Sequence, residues 1–517
     1  MYSNKDHINI LTSLLVAHGI RHAVVCPGSR NSPIVHNLHE CPDIHCYPVT
    51  DERSAGFYAL GMAQATKTPV VVCVTSGTAL LNLAPAVAEA YYQHQPLVVI
   101  SADRPAAWID QLDGQTLSQP DALGRFVKKA VSLPEPHDEE ERWYCNRLVN
   151  EALMERHAPV HINVPITEPL FNYSVPELPT ERKIELTPAD MPSHVLSHIC
   201  RMFMQSKRPL LISGQPMNPY MDEAVLLVED DERYVPDLVL YTGGSIVSKR
   251  LKHFLRKAKE TWVVNETGEV TDTFQNMTRV FVGDSAVAAD QIRFLSEQQP
   301  HPFVQMWDEL LNKVRSHVEA YVPSYSEMSV VKYLESSKFI VHGSKFKVHY
   351  ANSTAIRLAN IYACHDVYCN RGVNGIEGSL STAAGFSLVT DDPVFCVIGD
   401  LSFFYDQNAL WNQNLRGNFR VLLMNNGKGG IFNMLSGLEQ SPARDKFVAA
   451  EHHTSAKGIC EQNDIIYLRA ENMVQMQDGV DRLLQEQSDR PMLLEVFTDA
   501  DEDERVLKDY YAQFKKK

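Results

Sequence analysis

"VFCVIGDLSFFYDQNALWNQNLRGNFRVLLMNN" spans residues 394–426. It contains two apolar runs, 394–398 and 421–424, and each ends in polar residues: Gly399 and Asp400 after the first, Asn425 and Asn426 after the second. Runs apolar at every position, rather than at alternate ones, belong to strands covered by helices on both faces, so the stretch predicts two strands of a parallel α/β sheet. Ligands of such sheets collect beyond the carboxyl ends of the strands. An acid and a pair of amides therefore stand where chemistry is expected.

The same pattern recurs along the chain, in HAVVC (22–26), PVVVCV (69–74), PLVVIS (96–101), VHINV (160–164), PLLIS (209–213), TWVVN (261–265), RVFVG (279–283) and MLLEVF (492–497). Amphipathic stretches separate these runs, which predicts an α/β fold throughout. A Pro- and Glu-rich stretch (175–192) and a polar, interrupted one (322–344) read as linkers. They predict three domains, 1–180, 190–325 and 340–517, each a parallel or mostly parallel sheet flanked by helices. The tail LKDYYAQFKKK (507–517) predicts a short helix with a basic end.

With 44% apolar and 22% charged residues, the 517-residue chain has ordinary globular composition. Its formal charge of −16, from 64 acids against 48 Lys and Arg, argues against nucleic acid and anionic membrane surfaces as partners. A small anionic ligand remains compatible, because local arginines outweigh a distant field at short range. The start, MYSNKDHINILTSLL, lacks the layout of a signal peptide, and no apolar segment is long enough to span a bilayer, so a cytoplasmic location without membrane insertion is expected. The ten cysteines lack zinc-knuckle or redox-dithiol spacing and read as buried thiols.

If the strands before Asp400 and Asn426 are neighbours, a carboxylate and an amide oxygen converge at one sheet edge. That oxygen-only set suits a hard divalent cation that borrows phosphate oxygens, and Gly427, Gly429 and Gly430 let backbone come close to a ligand. An Asp capping a helix and Asn residues in a turn are the plainer alternative. Upstream, DERSAGFYALGMAQAT (51–66) places Glu52 after the extended HCYPVT (45–50), at the start of a small-residue helix. The helix dipole alone favours an acid there. Next comes VVVCVTSGTALLN (70–82), a strand followed by Thr75, Ser76, Gly77 and Thr78.

This layout of glutamate, glycine loop and distant Gly-Asp with Asn-Asn resembles the thiamine-diphosphate enzymes. CPGSRNSP (26–33), DER (51–53), TSGTA (75–79), ADRP (102–105), NRGVNGIEG (370–378), STAAG (381–385), GDLSFFYD (399–406) and NNGKGGIF (425–432) narrow it to one branch. They resemble the 2-succinyl-5-enolpyruvyl-6-hydroxy-3-cyclohexene-1-carboxylate synthases of menaquinone biosynthesis. Leu401, where most thiamine enzymes carry glycine, agrees with that branch. The match covers both outer domains and, in the middle, mainly GSIVSKRL (244–251).

The resemblance implies a pyrimidine-binding first domain, a diphosphate-binding third domain, and decarboxylation of 2-oxoglutarate with addition of the succinyl carbanion to isochorismate. It implies thiamine diphosphate and Mg2+ (or Mn2+) as cofactors. Glu52 would be catalytic, hydrogen-bonded to the aminopyrimidine. Pro27, Gly28, Ser76, Gly77, Ile376, Gly399, Asp400, Leu401, Ser402, Asn426 and Ile431 would contact the cofactor, and Asp400, Asn426 and the Lys428 carbonyl would hold the metal. Substrate contacts would fall to Ser29, Arg30, Arg104, Gln115, Lys249, Arg250, Ser353, Arg357, Arg371, Ile431 and Phe432. Guanidinium forks suit the two dicarboxylate substrates, although any one arginine is also what a surface ion pair needs. The resemblance further implies a homo-oligomer, dimer or tetramer, whose active sites are shared between chains.

The alternatives are another thiamine-diphosphate decarboxylase or carboligase acting on pyruvate, and a non-catalytic homologue. A nicotinamide oxidoreductase ranks below both, since no G-x-G-x-x-G follows a strand.

Overall fold

The strands predicted from unbroken apolar runs assemble into three parallel sheets. The computed structural model describes residues 1–186, 191–214, 219–335, 346–435, 437–485 and 487–515, so the linker portions at 187–190 and 336–345 and the final residues 516–517 lie outside the described residues. The first sheet has six strands in the order His45–Pro48, His22–Val25, Val70–Val74, Leu97–Asp103, Val160–Pro165 and Lys129–Ser132, every pair parallel. The second has four, Met277–Val282, Glu260–Asn265, Leu238–Tyr241 and Pro209–Ile212. The third has six, Val367–Tyr368, Lys347–Tyr350, Val394–Gly399, Phe419–Asn425, Met492–Phe497 and Ile466–Ala470. Val394–Gly399 and Phe419–Asn425 are adjacent, with Gly399 opposite Met424. A small antiparallel pair, Tyr2–Ser3 with Tyr173–Val175, closes the first unit. Helix Ala500–Lys515 covers most of the predicted C-terminal helical tail.

The first and third sheets are joined through two helices made of small residues. Helix Glu52–Thr66 packs against helix Ser379–Ser387, in which every residue is buried. Close approach depends on the missing side chains of Gly61 and Gly385. A Cβ on Gly61 would lie 1.9 Å from the Thr382 carbonyl oxygen, and one on Gly385 2.2 Å from that of Tyr58. The obstacle in both cases is backbone, which cannot swing aside as a side chain tip can. Gly61→Ala is therefore expected to cost about 1–3 kcal/mol or more by overpacking, read as a lower urea midpoint; an unchanged midpoint would show that the helices have room to part.

Behind this junction lies Asp406, fully buried, whose carboxylate accepts the Ser381 N–H and Oγ–H at 2.8 Å each. Burial raises its pKa to about 7. The folded protein thus keeps a proton that the unfolded chain has already released, so this stabilisation is present in acid and is lost as pH rises through 7. Asp406→Asn removes the titration at constant shape. Between pH 5 and pH 8 the variant should gain about 3 kcal/mol on its parent, read from paired urea titrations; parallel pH curves would contradict this.

Candidate active site

The strand ends of the first sheet gather one half of the candidate site. Asp51 caps helix Glu52–Thr66 by accepting the Ser54 N–H at 2.9 Å, which puts Glu52 in the first turn. Glu52 opens into a cleft of about 290 Å³ lined by residues 75–79, Asn82, Asp113 and residues 115–117. Gly77 has φ +88°, which glycine adopts at little cost and other residues rarely, and its N–H donates to Gln119 Oε1 at 2.7 Å. Gln119, wholly buried, also donates to the Ala102 carbonyl and Asn163 Oδ1, so it locks the loop to the sheet. Gln115 faces Gly77 from a left-handed φ of +55°. Pro27, Gly28 and Ser29 are exposed at the neighbouring strand end, with Gly28 seated against Thr75.

Adjacent strands of the third sheet supply the other half. Asp400 begins a short helix, Asp400–Tyr405, and is only 4% exposed. Its Oδ1 accepts the Leu401 N–H at 2.6 Å and its Oδ2 the Gly427 N–H at 2.8 Å. His452 Nε2 lies 3.4 Å from Oδ2, and this carboxylate draws the imidazole pKa upward. Asn426 sends its Nδ2 toward Glu327 Oε1 (3.3 Å) and Asp503 Oδ2 (3.2 Å), while its Oδ1 accepts the Lys428 N–H at 3.4 Å and keeps a second lone pair for a cation. Burial, reinforced by Asp503 and Asp400, holds the Glu327 carboxyl well above the usual range, and burial raises Asp503 to about 6. Asn425 is spent otherwise: its Nδ2 holds the Thr454 carbonyl and buried Glu495. The Lys428 ammonium is paired with Asp501 Oδ1 at 3.5 Å. Ser402 Oγ donates to the Ile376 carbonyl, fastening the 370–378 loop to the Asp400 helix. Gly399 has open space where a Cβ would stand, and Ile431 and Phe432 follow, partly buried, in a 3-10 turn.

These donors fit a divalent cation with a diphosphate. Asp400 offers carboxylate oxygen, Asn426 an amide oxygen and the 426–430 turn its carbonyls, all hard ligands. Among the described residues no group of three or more His, Cys, Asp or Glu side chains gathers to hold a metal unaided. Phosphate oxygens would have to complete the shell.

The basic residues divide by what they touch. Arg30 is buried and occupied, donating to the Ile166 carbonyl at 3.0 Å and Glu168 at 3.1 Å. Arg104 holds the Gly114 carbonyl and Asp113, which steadies the segment carrying Gln115. Arg250 pairs with Asp222 and lies over the Tyr511 ring. A second group converges across the junction of the second and third sheets. Desolvation and Arg371 hold Arg357 below the usual guanidinium range, and desolvation, Arg371, Lys249 and Arg256 depress Lys252. Arg371 NH1 donates to Asn352 Oδ1 at 3.2 Å. Ser353, at the start of helix Thr354–Tyr362, has φ +75° and ψ −127°, a strained backbone for serine that the surrounding fold must impose.

Within one chain the halves touch but do not merge. Arg53 donates to the Tyr405 carbonyl at 2.7 Å and Asn408 to Asp51 at 2.8 Å, so the Glu52 helix meets the far end of the Asp400 helix. Every residue lining the Glu52 cleft falls between 52 and 117, so none comes from the Asp400 cluster. Gln119, Glu327, Asp503, His452 and Lys252 carry no motif signal and were not anticipated from sequence; a buried acid far along the chain gives no local cue.

Residues 7–123 match the family described as "Thiamine pyrophosphate enzyme, N-terminal TPP binding domain", and residues 351–496 match "Thiamine pyrophosphate enzyme, C-terminal TPP binding domain". Proteins named 2-succinyl-5-enolpyruvyl-6-hydroxy-3-cyclohexene-1-carboxylate synthase from Bacteroides fragilis and Bacteroides thetaiotaomicron are each 43% identical, with 100% of both chains covered. One of that name from Desulfotalea psychrophila is 34% identical over 96% of this chain and 98% of its own. An X-ray structure titled as a thiamin diphosphate-dependent enzyme from Mycobacterium smegmatis shares the fold, with a TM-score of 0.69 at 16% identity, covering 96% of this chain and 100% of that one.

Proposed function

Since the chain belongs to the 2-succinyl-5-enolpyruvyl-6-hydroxy-3-cyclohexene-1-carboxylate synthases, we propose that it is the thiamine-diphosphate transferase that decarboxylates 2-oxoglutarate and adds the succinyl unit to isochorismate. It acts in menaquinone biosynthesis, in the cytoplasm. The observation that carries this assignment is the pairing of an acid, Glu52, in a cleft walled by small residues with an Asp400 and Asn426 cluster at adjacent strand ends.

Bound thiamine diphosphate supplies the electron sink for loss of carbon dioxide and transfer of the remaining unit. Glu52 would hold a proton against N1′ of the bound aminopyrimidine. Asp400, Asn426 and the Lys428 carbonyl would hold Mg2+ or Mn2+, and Ser402 and the turn around Gly399 would meet the diphosphate. Ile376, Ile431 and Phe432 form apolar walls that keep water from the reacting centre. Arg357, Arg371 and Lys249, with Ser353 and Gln115, orient the substrate carboxylates; positioning of this kind is most of what the protein adds to the cofactor's chemistry. Arg30, Arg104 and Arg250, each steadied by a carbonyl or carboxylate partner, would join them on the same carboxylates. The assigned domains are 1–180 for the pyrimidine, 190–325 as the central unit and 340–517 for the diphosphate.

The chain works as a homo-oligomer in which Glu52 of one copy serves the Asp400 cluster of another. The cleft walled only by residues 52–117 supports this.

Isochorismate consumption should require 2-oxoglutarate, thiamine diphosphate and a divalent ion together. Consumption with any one of them omitted would contradict the assignment. Release of carbon dioxide from pyruvate in preference to 2-oxoglutarate would favour a pyruvate-specific relative, which has little use for the convergent Lys249, Arg357 and Arg371.

A further inference from the structure

We propose that Glu89 is a positioning residue that sets Arg371 for substrate by holding the backbone of the 370–378 loop across the domain junction. Glu89 lies on helix Ala84–Tyr92 of the first unit and is 3% exposed. Its Oε1 accepts the Gly372 N–H and its Oε2 the Val373 N–H, each at 2.6 Å. Gln93 Nε2 donates to Oε1 at 2.5 Å, and Gln64 Nε2 donates to Gln93 Oε1 at 2.8 Å, so a partly buried relay of amides fixes the carboxylate. Two oxygens on two successive N–H donors define both the place and the tilt of the peptide between them, and charge-assisted bonds of this kind are the strong ones.

The opposite side of the loop is gripped from the third unit. Asn352 Nδ2 donates to the Asn370 carbonyl at 2.6 Å and the Gly375 carbonyl at 2.8 Å, while its Oδ1 receives Arg371 NH1. There is no slack on the Glu89 side, since a Cβ on Gly372 would lie 2.7 Å from the Glu89 carbonyl oxygen and 3.0 Å from Tyr92 Cβ. Further along, Gly378 lies against the Phe57 ring of the Glu52 helix, where a Cβ would come within 2.3 Å. The loop that presents Arg371 and Ile376 is therefore clamped between two units of the same chain. A carboxylate 283 positions upstream of Gly372 decides where the guanidinium stands.

This inference rests on the substrate role given above to Arg371, and a double-mutant cycle separates the two. Glu89→Gln keeps the size but turns an amide NH2 against one of the two loop N–H groups. It should raise KM for the dicarboxylate that Arg371 holds by about tenfold, with kcat changed less than about threefold and the calorimetric affinity for thiamine diphosphate unchanged. In an Arg371→Ala background the same substitution should add less than about twofold, because its route of action has gone. Gly372→Ala, which pushes on the same contact from the loop side, should reproduce the selective KM shift even if Glu89→Gln folds poorly. An equal Glu89→Gln effect in both backgrounds, or an unchanged KM in both single variants at the contact, overturns the inference. An unchanged KM in Arg371→Ala overturns the role of Arg371 and this inference with it; a raised KM there with no Glu89 effect overturns the inference alone.

Discussion

Glu52→Gln should bind thiamine diphosphate and yet consume isochorismate about 10²–10⁴-fold more slowly than the parent, the range typical of losing a positioned proton-transfer group. The substitution is isosteric. Asp51 still caps the helix through Ser54, and the walls at 75–79 and 115–117 are untouched, so the cleft should persist. What disappears is a carboxyl that can hold a proton against the pyrimidine ring; a carboxamide can bond there but cannot share the proton. Calorimetry should therefore give a thiamine diphosphate affinity within about threefold of the parent while kcat collapses. A rate within tenfold of the parent would remove Glu52 from the chemistry.

Asp400→Ala should show the reverse pattern, loss of binding first. Asp400 is the acid of the proposed cation site, nearly buried, and it also secures the Leu401 and Gly427 N–H groups that shape the turn around the diphosphate. Removing a supporting residue of a metal site costs 10–100-fold in affinity, and losing the charged ligand itself should cost about 100-fold or more. The affinity for thiamine diphosphate should then cease to respond to added Mg2+, with turnover restored little by substrate. Unchanged, Mg2+-responsive binding would place the cation elsewhere. Together the two variants separate the ends of the cofactor: one leaves it bound and idle, the other leaves it unbound.

The parts that the sequence made visible share one physical cause. Strands buried on both faces keep apolar residues at every position, so 394–399 and 492–497 coincide with Val394–Gly399 and Met492–Phe497. Edge strands such as Lys129–Ser132 are only partly covered and carry lysine and serine, which blurs the same signal. Glu52, Asp400 and Asn426 were legible because each stands just past an extended segment, where an α/β sheet keeps its ligands. Helix Ser379–Ser387 is buried all round by small residues and shows no apolar stripe, so its role at the domain junction could not be read from periodicity. Arginines were legible as a class but not individually: nothing near Arg30 in sequence announces Ile166 and Glu168 as its partners, whereas Arg357 and Arg371 find one another only through the fold. Glu89, Gln119 and the Glu327 and Asp503 pair were invisible for the same reason, since their partners come from distant segments.

The most direct test of a site built from Glu52 of one copy and Asp400 of another is to mix Glu52→Gln chains with Asp400→Ala chains, each inactive alone, under conditions in which subunit exchange is verified by mass. In a mixed dimer one of the two shared sites recovers both intact residues, so an equal mixture should regain about a quarter of the parental isochorismate-consuming activity. No activity in a mixture that has demonstrably exchanged would mean that the two residues do not act on the same cofactor across the interface.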